Sequence, residues 1–211
     1  MDRFKTAVIL AGGKSSRMGF DKQFLKIGEK RLMDILINEI KEEFQDIIIV
    51  TNKPKEYKSL YKSCRIVSDE IESQGPLSGI HIGLKESKSK YAYFIACDMP
   101  KVNIPYIRYM KEELIKTDAD ACVTEAGCRM QPFNAFYSKE VFYKIEDLLR
   151  EGKRSMFSFI NIINTHFIDE DTAKKYNKDF NMFFNLNTPE DLKDFQVKLY
   201  NPKNMDKNIE K

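Results

Sequence analysis

The stretch Thr6-Ala7-Val8-Ile9-Leu10-Ala11-Gly12-Gly13-Lys14-Ser15-Ser16-Arg17-Met18-Gly19, with Asp21-Lys22 after Phe20, decides how this chain is read. Its first half is an apolar run that predicts a buried β-strand, Phe4 to Leu10. Its second half is a glycine-rich, cationic loop. Two adjacent glycines let the backbone approach a ligand that a Cβ would exclude. Successive N–H groups in such a loop can form an anion-binding nest. Lys14, Arg17 and Lys22 place three cations in the same segment. A strand that delivers free amides and clustered positive charge suits the phosphates of a nucleotide. The loop is neither of two better-known phosphate loops. In Gly-x-x-x-x-Gly-Lys-Ser/Thr, the first glycine would fall on Val8. Gly12-Gly13 followed by Gly19 does not fit Gly-x-Gly-x-x-Gly either. A plain glycine turn is the simpler reading. The cations nearby and a carboxylate at the end of a later strand, Asp98, favour a site.

Outward from this strand, apolar runs and amphipathic segments alternate. Leu32, Leu36 and Ile40, with Met33, Ile37 and Phe44 beside them, predict a helix from Arg31 to Phe44. Ile47-Ile48-Ile49-Val50 is uninterrupted and apolar, as in strands covered on both faces of a parallel sheet. A short helix from Pro54 to Tyr61 and a strand from Arg65 to Ser68 follow. Pro76 can open the helix carrying Leu77, Ile80 and Leu84. Tyr91 to Cys97 reads as another buried strand ending at Asp98. Beyond it come a helix from Pro105 to Lys116, strands at Ala119–Thr124 and Phe133–Tyr137 that can pair, an amphipathic segment from Lys139 to Arg150, an apolar segment from Met156 to Ile163, and a late strand from Thr165 to Ile168. Thr188-Pro189-Glu190-Asp191 combines an N-cap, a proline at the first helical position and acidic first-turn residues, opening a helix to about Leu199. The pattern predicts one α/β domain over 1–200 and a polar, disordered tail over 201–211. Right-handed crossovers make it a three-layer α/β/α sandwich with a mostly parallel, Rossmann-like sheet. Ligands of such sheets sit beyond the carboxyl ends of the strands. The segments after Leu10, after Val50 and after Cys97 all fall there.

Composition narrows the function classes. Of 211 residues, 35 are Lys or Arg and 32 are Asp or Glu, a net charge of +3 with the signs interspersed. Such a balance calls for neither nucleic acid nor an acidic membrane as partner. The four cysteines, Cys64, Cys97, Cys122 and Cys128, form no Cys-x-x-Cys pair, and His81 and His166 are the only histidines, so a structural zinc site is not expected. His81 sits at helical spacing beside Ile80 and Ile82 and reads as structural. No run resembles a signal-peptide core or a bilayer span, so a cytoplasmic location with reduced thiols is the expectation.

Asp98 follows the run Tyr93-Phe94-Ile95-Ala96-Cys97, so a rigid strand positions its carboxylate. Mg²⁺ takes one or two such carboxylates together with phosphate oxygens and water. The alternative is an Asp that caps the helix after Met99-Pro100. Arg17 and Lys22 would face a triphosphate, where charge and positioning carry phosphoryl and nucleotidyl transfer. Lys14 reads equally well as solvent-facing.

Leu10-Ala11-Gly12-Gly13-Lys14-Ser15-Ser16-Arg17-Met18-Gly19 with Asp21-Lys22 resembles the nucleotidyltransferases that attach a nucleoside monophosphate to a phosphorylated acceptor. Among them the chain is most similar to the molybdenum cofactor guanylyltransferase family. Gly75-Pro76-Leu77-Ser78-Gly79-Ile80, Cys97-Asp98-Met99-Pro100 and Asn185-Leu186-Asn187-Thr188-Pro189-Glu190-Asp191-Leu192 extend the resemblance, in the family's order, over about residues 5 to 197. It implies the nucleotide-diphospho-sugar-transferase-like fold, with GTP and molybdenum-loaded molybdopterin as substrates and Mg²⁺ as cofactor. The cofactor made would go on to molybdoenzyme apoproteins or their chaperones. It also implies that Arg17, Lys22 and Asp98 act in transfer, Asp98 as metal ligand. Leu10, Ala11, Gly12, Gly13, Lys22, Asn52, Asp69, Gly75, Gly79 and Asp98 would form the nucleotide pocket. On the acceptor side it points to Gln131, Asn134, Arg154, Asn185 and Asn187. Two alternatives stay open. One is another small nucleotidyltransferase using CTP or a sugar phosphate; in the related cytidylyltransferases the loop more often reads Leu-Ala-Ala-Gly. The other is a non-catalytic nucleotide-binding module, which the presence of both Lys22 and Asp98 argues against. A phosphate-monoester nucleophile is largely ionised at neutral pH, so the chemistry needs no histidine base.

Overall fold

In a computed structural model, residues 2–12, 26–68 and 75–200 are described, with side chains as far as residue 197. The expected tail at 201–211 lies outside the described residues. The elements in chain order are β1 (Thr6–Leu10), β2 (Lys26–Ile27), β3 (Lys30–Arg31), α1 (Leu32–Ile40), β4 (Asp46–Val50), α2 (Pro54–Leu60), β5 (Arg65–Val67), α3 (Pro76–Glu86), β6 (Tyr91–Ala96) and α4 (Ile104–Thr117). Then follow β7 (Ala121–Ala126), β8 (Arg129–Ser138), α5 (Phe142–Arg150), α6 (Met156–Ile162), β9 (Thr165–Asp169), α7 (Glu170–Tyr176) and α8 (Pro189–Tyr200). The main sheet runs β5-β4-β1-β6-β8-β7-β9, and β8 is antiparallel to both its neighbours while the other pairings are parallel.

Successive strand residues point to opposite faces, and the core divides accordingly. Ala7, Ile9, Ile47, Ile49, Tyr93, Ile95 and Phe136 join one cluster with Leu36 of α1, Tyr57 of α2, Met110 of α4 and Ala173 of α7. Val8, Ile48, Phe94, Ala135 and Tyr137 join the other with Leu77 of α3, Ile145 of α5 and Phe159 of α6. The uninterrupted Ile-rich run of β4 is explained: both of its faces are covered. A third, smaller cluster, Ile27, Leu32, Leu186 and Phe195, packs α8 against the β2–β3 ribbon. No helix among the described residues is long and apolar enough to cross a membrane.

Helix α1 stops at Ile40, short of the expected Phe44. Phe44 still enters the core, stacked on Tyr93 at 5.3 Å. Glu43 beside it turns to α4, where its carboxylate accepts from Arg108 Nε at 3.0 Å and Lys111 Nζ at 2.7 Å. Strand β8 begins at Arg129 rather than Phe133, because the β7–β8 hairpin closes through Ala126–Arg129 around Gly127 at φ 57°. Helix α7 was not expected. Its signals were present: Asp169 caps it by accepting from Thr172 N at 2.8 Å, acidic residues open it, and Lys174 and Lys175 close it.

The buried carboxylate of Asp46 anchors the edge of the sheet. It accepts from Arg65 Nε and Nη2, each at 2.8 Å, and from Thr6 Oγ1 at 2.9 Å. Burial by itself raises its pKa; the bonds from Arg65 and Thr6 and the Arg65 charge outweigh burial and hold it below the usual carboxylate value. The folded pKa is therefore lower than the unfolded one. This contribution is complete above the unfolded value of about 4 and is lost as pH falls through the folded value. Asp46→Asn should cost about 2–3 kcal/mol at neutral pH and flatten the acid limb of a urea-stability profile. An acid limb identical to wild type would show that Asp46 does not carry it.

Candidate functional site

β1 pairs in parallel with both β4 and β6, with Leu10 opposite Val50 on one side and Ala96 on the other. Their carboxyl ends therefore share one edge of the sheet. The ladder continues past the strands: Ala11 N donates to Val50 O at 2.8 Å, Cys97 N to Leu10 O at 3.0 Å, and Thr51 N to Val67 O at 3.0 Å. Ala11-Gly12, Thr51-Asn52 and Cys97-Asp98 consequently emerge side by side, as expected for a site at this edge. A tight turn closed by Met99 N on Ala96 O at 3.0 Å holds Asp98, half-buried, directly after β6. Ala11 is buried, whereas Gly12 and Asn52 are exposed. A Cβ on Gly12 would meet only open space.

Gly75 precedes α3 with φ 79°, a conformation L side chains rarely adopt, so glycine is needed there for the backbone alone. Gly79 is buried, and a Cβ on it would lie 3.0 Å from Leu10 Cδ2. One turn on, a Cβ on Gly83 would lie 2.7 Å from Phe94 Cε1 and 2.9 Å from Val8 Cγ1. Gly79 and Leu10 thus have a reason internal to the fold: they let α3 lie close against β1, with its first turn at the Leu10 end. Gly13, Lys14, Arg17 and Lys22, and likewise Asp69, lie outside the described residues. Their segments follow Gly12 and Ser68, at the ends of β1 and β5.

Of the five residues expected on the acceptor side, two, Gln131 and Asn185, come together at a groove of about 560 Å³. Gln131 and Asn185 line it with Arg129, Met130, Met156 and Phe157. An irregularity in β8 shapes it. Between the pairs Cys122–Phe136 and Thr124–Gln131, Val123 alone of β7 faces Pro132, Phe133, Asn134 and Ala135 of β8. The extra residues bow β8 away from the ladder and aim Gln131 into the groove. Ser155 caps α6 by accepting from Ser158 N at 3.2 Å, and this helix brings in Met156 and Phe157. Arg154, just before the cap, is exposed. Leu186, next to the groove residue Asn185, donates its N–H to Asp98 O at 2.9 Å. The groove wall is therefore joined to the turn that carries Asp98.

The closing motif also has structural duties. Asp191 accepts from Asn187 N and Thr188 N, both at 2.8 Å, and donates its own N–H to Thr188 Oγ1 at 3.1 Å. That reciprocal cap fixes the start of α8, while Leu186 fills the small cluster beneath it. One expectation needs correction. Asn134 does not line the groove. It is fully buried, and both ends of its amide are engaged within the protein: Oδ1 accepts from the Tyr93 hydroxyl at 2.6 Å and Nδ2 donates to Met182 O at 3.1 Å. His81 is likewise buried, stacked on Phe142 at 4.4 Å, in keeping with its structural reading. Sequence reasoning passed over Met130, Met156, Phe157, Ile160 and Phe183 as site residues, since apolar side chains carry no signal that separates a groove wall from a core.

Among the described residues no group of three or more His, Cys, Asp or Glu could hold a metal. Asp98 offers a half-buried carboxylate at the carboxyl end of β6. Such a donor fits Mg²⁺, which completes its shell with phosphate oxygens and water.

Comparison with known proteins identifies the relatives of this chain. A family model described as the MobA-like NTP transferase domain matches residues 7–166. A molybdenum cofactor guanylyltransferase of Syntrophotalea carbinolica is 48% identical over 190 residues, covering 90% of each chain. A probable molybdenum cofactor guanylyltransferase of Peptoclostridium acidaminophilum is 46% identical over 199 residues, covering 91% of this chain and 88% of its own. Among solved structures, molybdopterin-guanine dinucleotide biosynthesis protein A from Archaeoglobus fulgidus superposes with a TM-score of 0.81 at 23% identity, covering 92% of this chain and 98% of that one. A CMP:2-keto-3-deoxy-manno-octonic acid synthetase complexed with CTP shares the fold at a TM-score of 0.70 and 10% identity, covering 95% and 100%.

Proposed function

The chain belongs to the MobA-like NTP transferase family, and from that membership we propose that it is a molybdenum cofactor guanylyltransferase: it transfers GMP from GTP to the terminal phosphate of molybdenum-loaded molybdopterin in the cytoplasm, releasing pyrophosphate. The observation that carries this reading is the 46–48% identity, over about nine-tenths of the chain, with molybdenum cofactor guanylyltransferases. The Leu186 N–H bond to Asp98 O, which joins the segment bearing Asn185 to the turn after β6, is compatible with it.

The division of labour follows from the chemistry of the residues. The open backbone at Gly12, continued by Gly13, Lys14, Arg17 and Lys22, receives the triphosphate. Asn52 and Asp69 address the base and ribose, since Asn donates and accepts while Asp accepts. In the groove, Gln131 and Asn185 offer amide donors and acceptors to the edge of the pterin, and Met130, Met156 and Phe157 offer it an apolar face. Arg154, exposed just before the Ser155 cap of α6, is the cation assigned to the acceptor phosphate. An acceptor phosphate oxygen forms the new bond to the α-phosphorus, and the bond to the β-phosphate oxygen breaks. The nucleophile is already ionised, so the protein's task is to position it and to stabilise developing charge. Asp98 would hold Mg²⁺, which would supply charge neutralisation.

The sibling reading, a CTP enzyme, is weakened by Leu10-Ala11-Gly12-Gly13 and by the closing motif. Titration calorimetry with GTP, CTP, UTP and ATP in Mg²⁺ tests the choice. GTP should bind at least tenfold tighter than CTP, because a pocket that hydrogen-bonds one base leaves groups unpaired with another. Equal or reversed affinities would remove the guanylyl assignment and leave the fold untouched. Pyrophosphate release that requires both GTP and the loaded pterin separates the enzyme from a binding module.

A further inference from the structure

We propose that Asn134 is a positioning residue, whose buried amide holds the acceptor groove in register with Asp98. The inference rests on the reading of the groove as the acceptor site, but its physical core does not.

The geometry forms a closed ring. Tyr93 lies on β6, five residues before Asp98. Its hydroxyl donates to Asn134 Oδ1 at 2.6 Å. Asn134 Nδ2 donates to Met182 O at 3.1 Å. Four residues beyond Met182, Leu186 N donates to Asp98 O at 2.9 Å, which returns the path to the end of β6. The segment from Met182 to Leu186 is thus tied to β6 near both of its ends, once through Asn134 and once through Asp98. Phe183 and Asn185, both on the groove wall, lie between the ties. Asn134 itself sits in the bowed part of β8, three residues after Gln131, which also lines the groove. One side chain therefore links two groove-lining segments to the strand that carries the carboxylate.

Its backbone supports a special role. Asn134 has φ 59°, the left-handed region, which few residues other than glycine enter and which asparagine tolerates better than most. It is fully buried there. A strained, buried amide persists where its surroundings over-determine it, and such residues cluster at sites that need pre-organisation. Glycine would adopt the same backbone with less strain, yet the position holds the residue whose amide makes both bonds. Nucleotidyl transfer needs the acceptor oxygen aligned on the α-phosphorus, and a displacement of about 1 Å can cost about a hundredfold in rate.

Two variants of the full chain test this. Asn134→Gly keeps the left-handed backbone and removes both bonds. Tyr93→Phe removes one hydroxyl and keeps the ring, so it remains informative should the first variant fold poorly. In folded protein, hydrogen exchange of the Leu186 amide should accelerate by about tenfold in Tyr93→Phe and more in Asn134→Gly, because a tether of its segment is lost. In activity assays kcat/KM for loaded molybdopterin should fall by about tenfold or more, through kcat as well as KM, while GTP affinity stays within about twofold. A purely structural role would lower the active fraction and leave both constants, per active site, unchanged. Unaltered exchange at Leu186 in a folded variant overturns the inference, whatever happens to turnover. Wild-type protein that forms no dinucleotide from GTP and acceptor would instead overturn the proposed function, and the exchange measurement would still decide the role of Asn134.

Discussion

Asp98→Asn should lower turnover by about a hundredfold or more, the scale seen when a principal charge stabiliser is lost, while the melting temperature shifts by no more than a few degrees. The two halves of this expectation have separate causes. The turn that holds residue 98 is built from backbone bonds, Met99 N to Ala96 O and Leu186 N to Asp98 O, which asparagine preserves. The residue is half-buried at the end of a strand and fills no part of the core. The substitution keeps the shape and removes the negative charge, which is what a Mg²⁺ ligand contributes. Steady-state pyrophosphate release across a Mg²⁺ titration is the measurement. Near-normal turnover at ordinary Mg²⁺ would show that Asp98 is not the metal ligand.

Lys22→Ala and Arg154→Ala should fail in different ways. Lys22 belongs to the cationic loop after β1, so its loss should weaken GTP binding or the transfer step by about a hundredfold, as for a charge aimed at the triphosphate. Arg154 leads into α6, which lines the groove through Met156 and Phe157. Its loss should raise the KM for the acceptor and spare GTP. A charge-assisted hydrogen bond is worth about 1.5–3 kcal/mol. Arg154 is exposed, so screening reduces the expected loss to about 1 kcal/mol, roughly fivefold in KM. Paired titrations of each variant with GTP and with molybdopterin separate the effects. Comparable damage to GTP binding in both variants would mean that the protein is not divided into a nucleotide half and an acceptor half.

These contrasts show where sequence patterns carry information. The central strands were legible because a parallel sheet covered on both faces demands unbroken apolar runs, and Ile47 to Val50 and Tyr91 to Cys97 supply them. The chirality of crossovers then places every βα loop of those strands on one edge, so the sequence alone groups Gly12, Asn52 and Asp98. Helix starts were legible at Pro54, Pro76 and Pro189, where proline is tolerated only in the first turn. Helix α7 was missed because its single buried residue, Ala173, gives no apolar period to read.

The acceptor side was less legible for a physical reason. Polar residue types tell a reader that a hydrogen bond will be made, and nothing in the sequence tells with whom. Asn134, Asn185 and Asn187 look alike as letters. In the fold, Asn134 is buried between Tyr93 and Met182, Asn185 faces a groove, and Asn187 sits at the cap of α8. The sequence by itself determined the sheet, its two covered faces, the glycine-rich cationic segment after β1 and the strand-end carboxylate, because each rests on short-range pattern and backbone chemistry. Only the tertiary structure decided that β8 bows at Pro132 to Asn134, that α6 and the segment before α8 close a groove there, and that Leu186 joins that groove to Asp98. Those features depend on contacts between residues far apart in the chain, which local propensity does not encode.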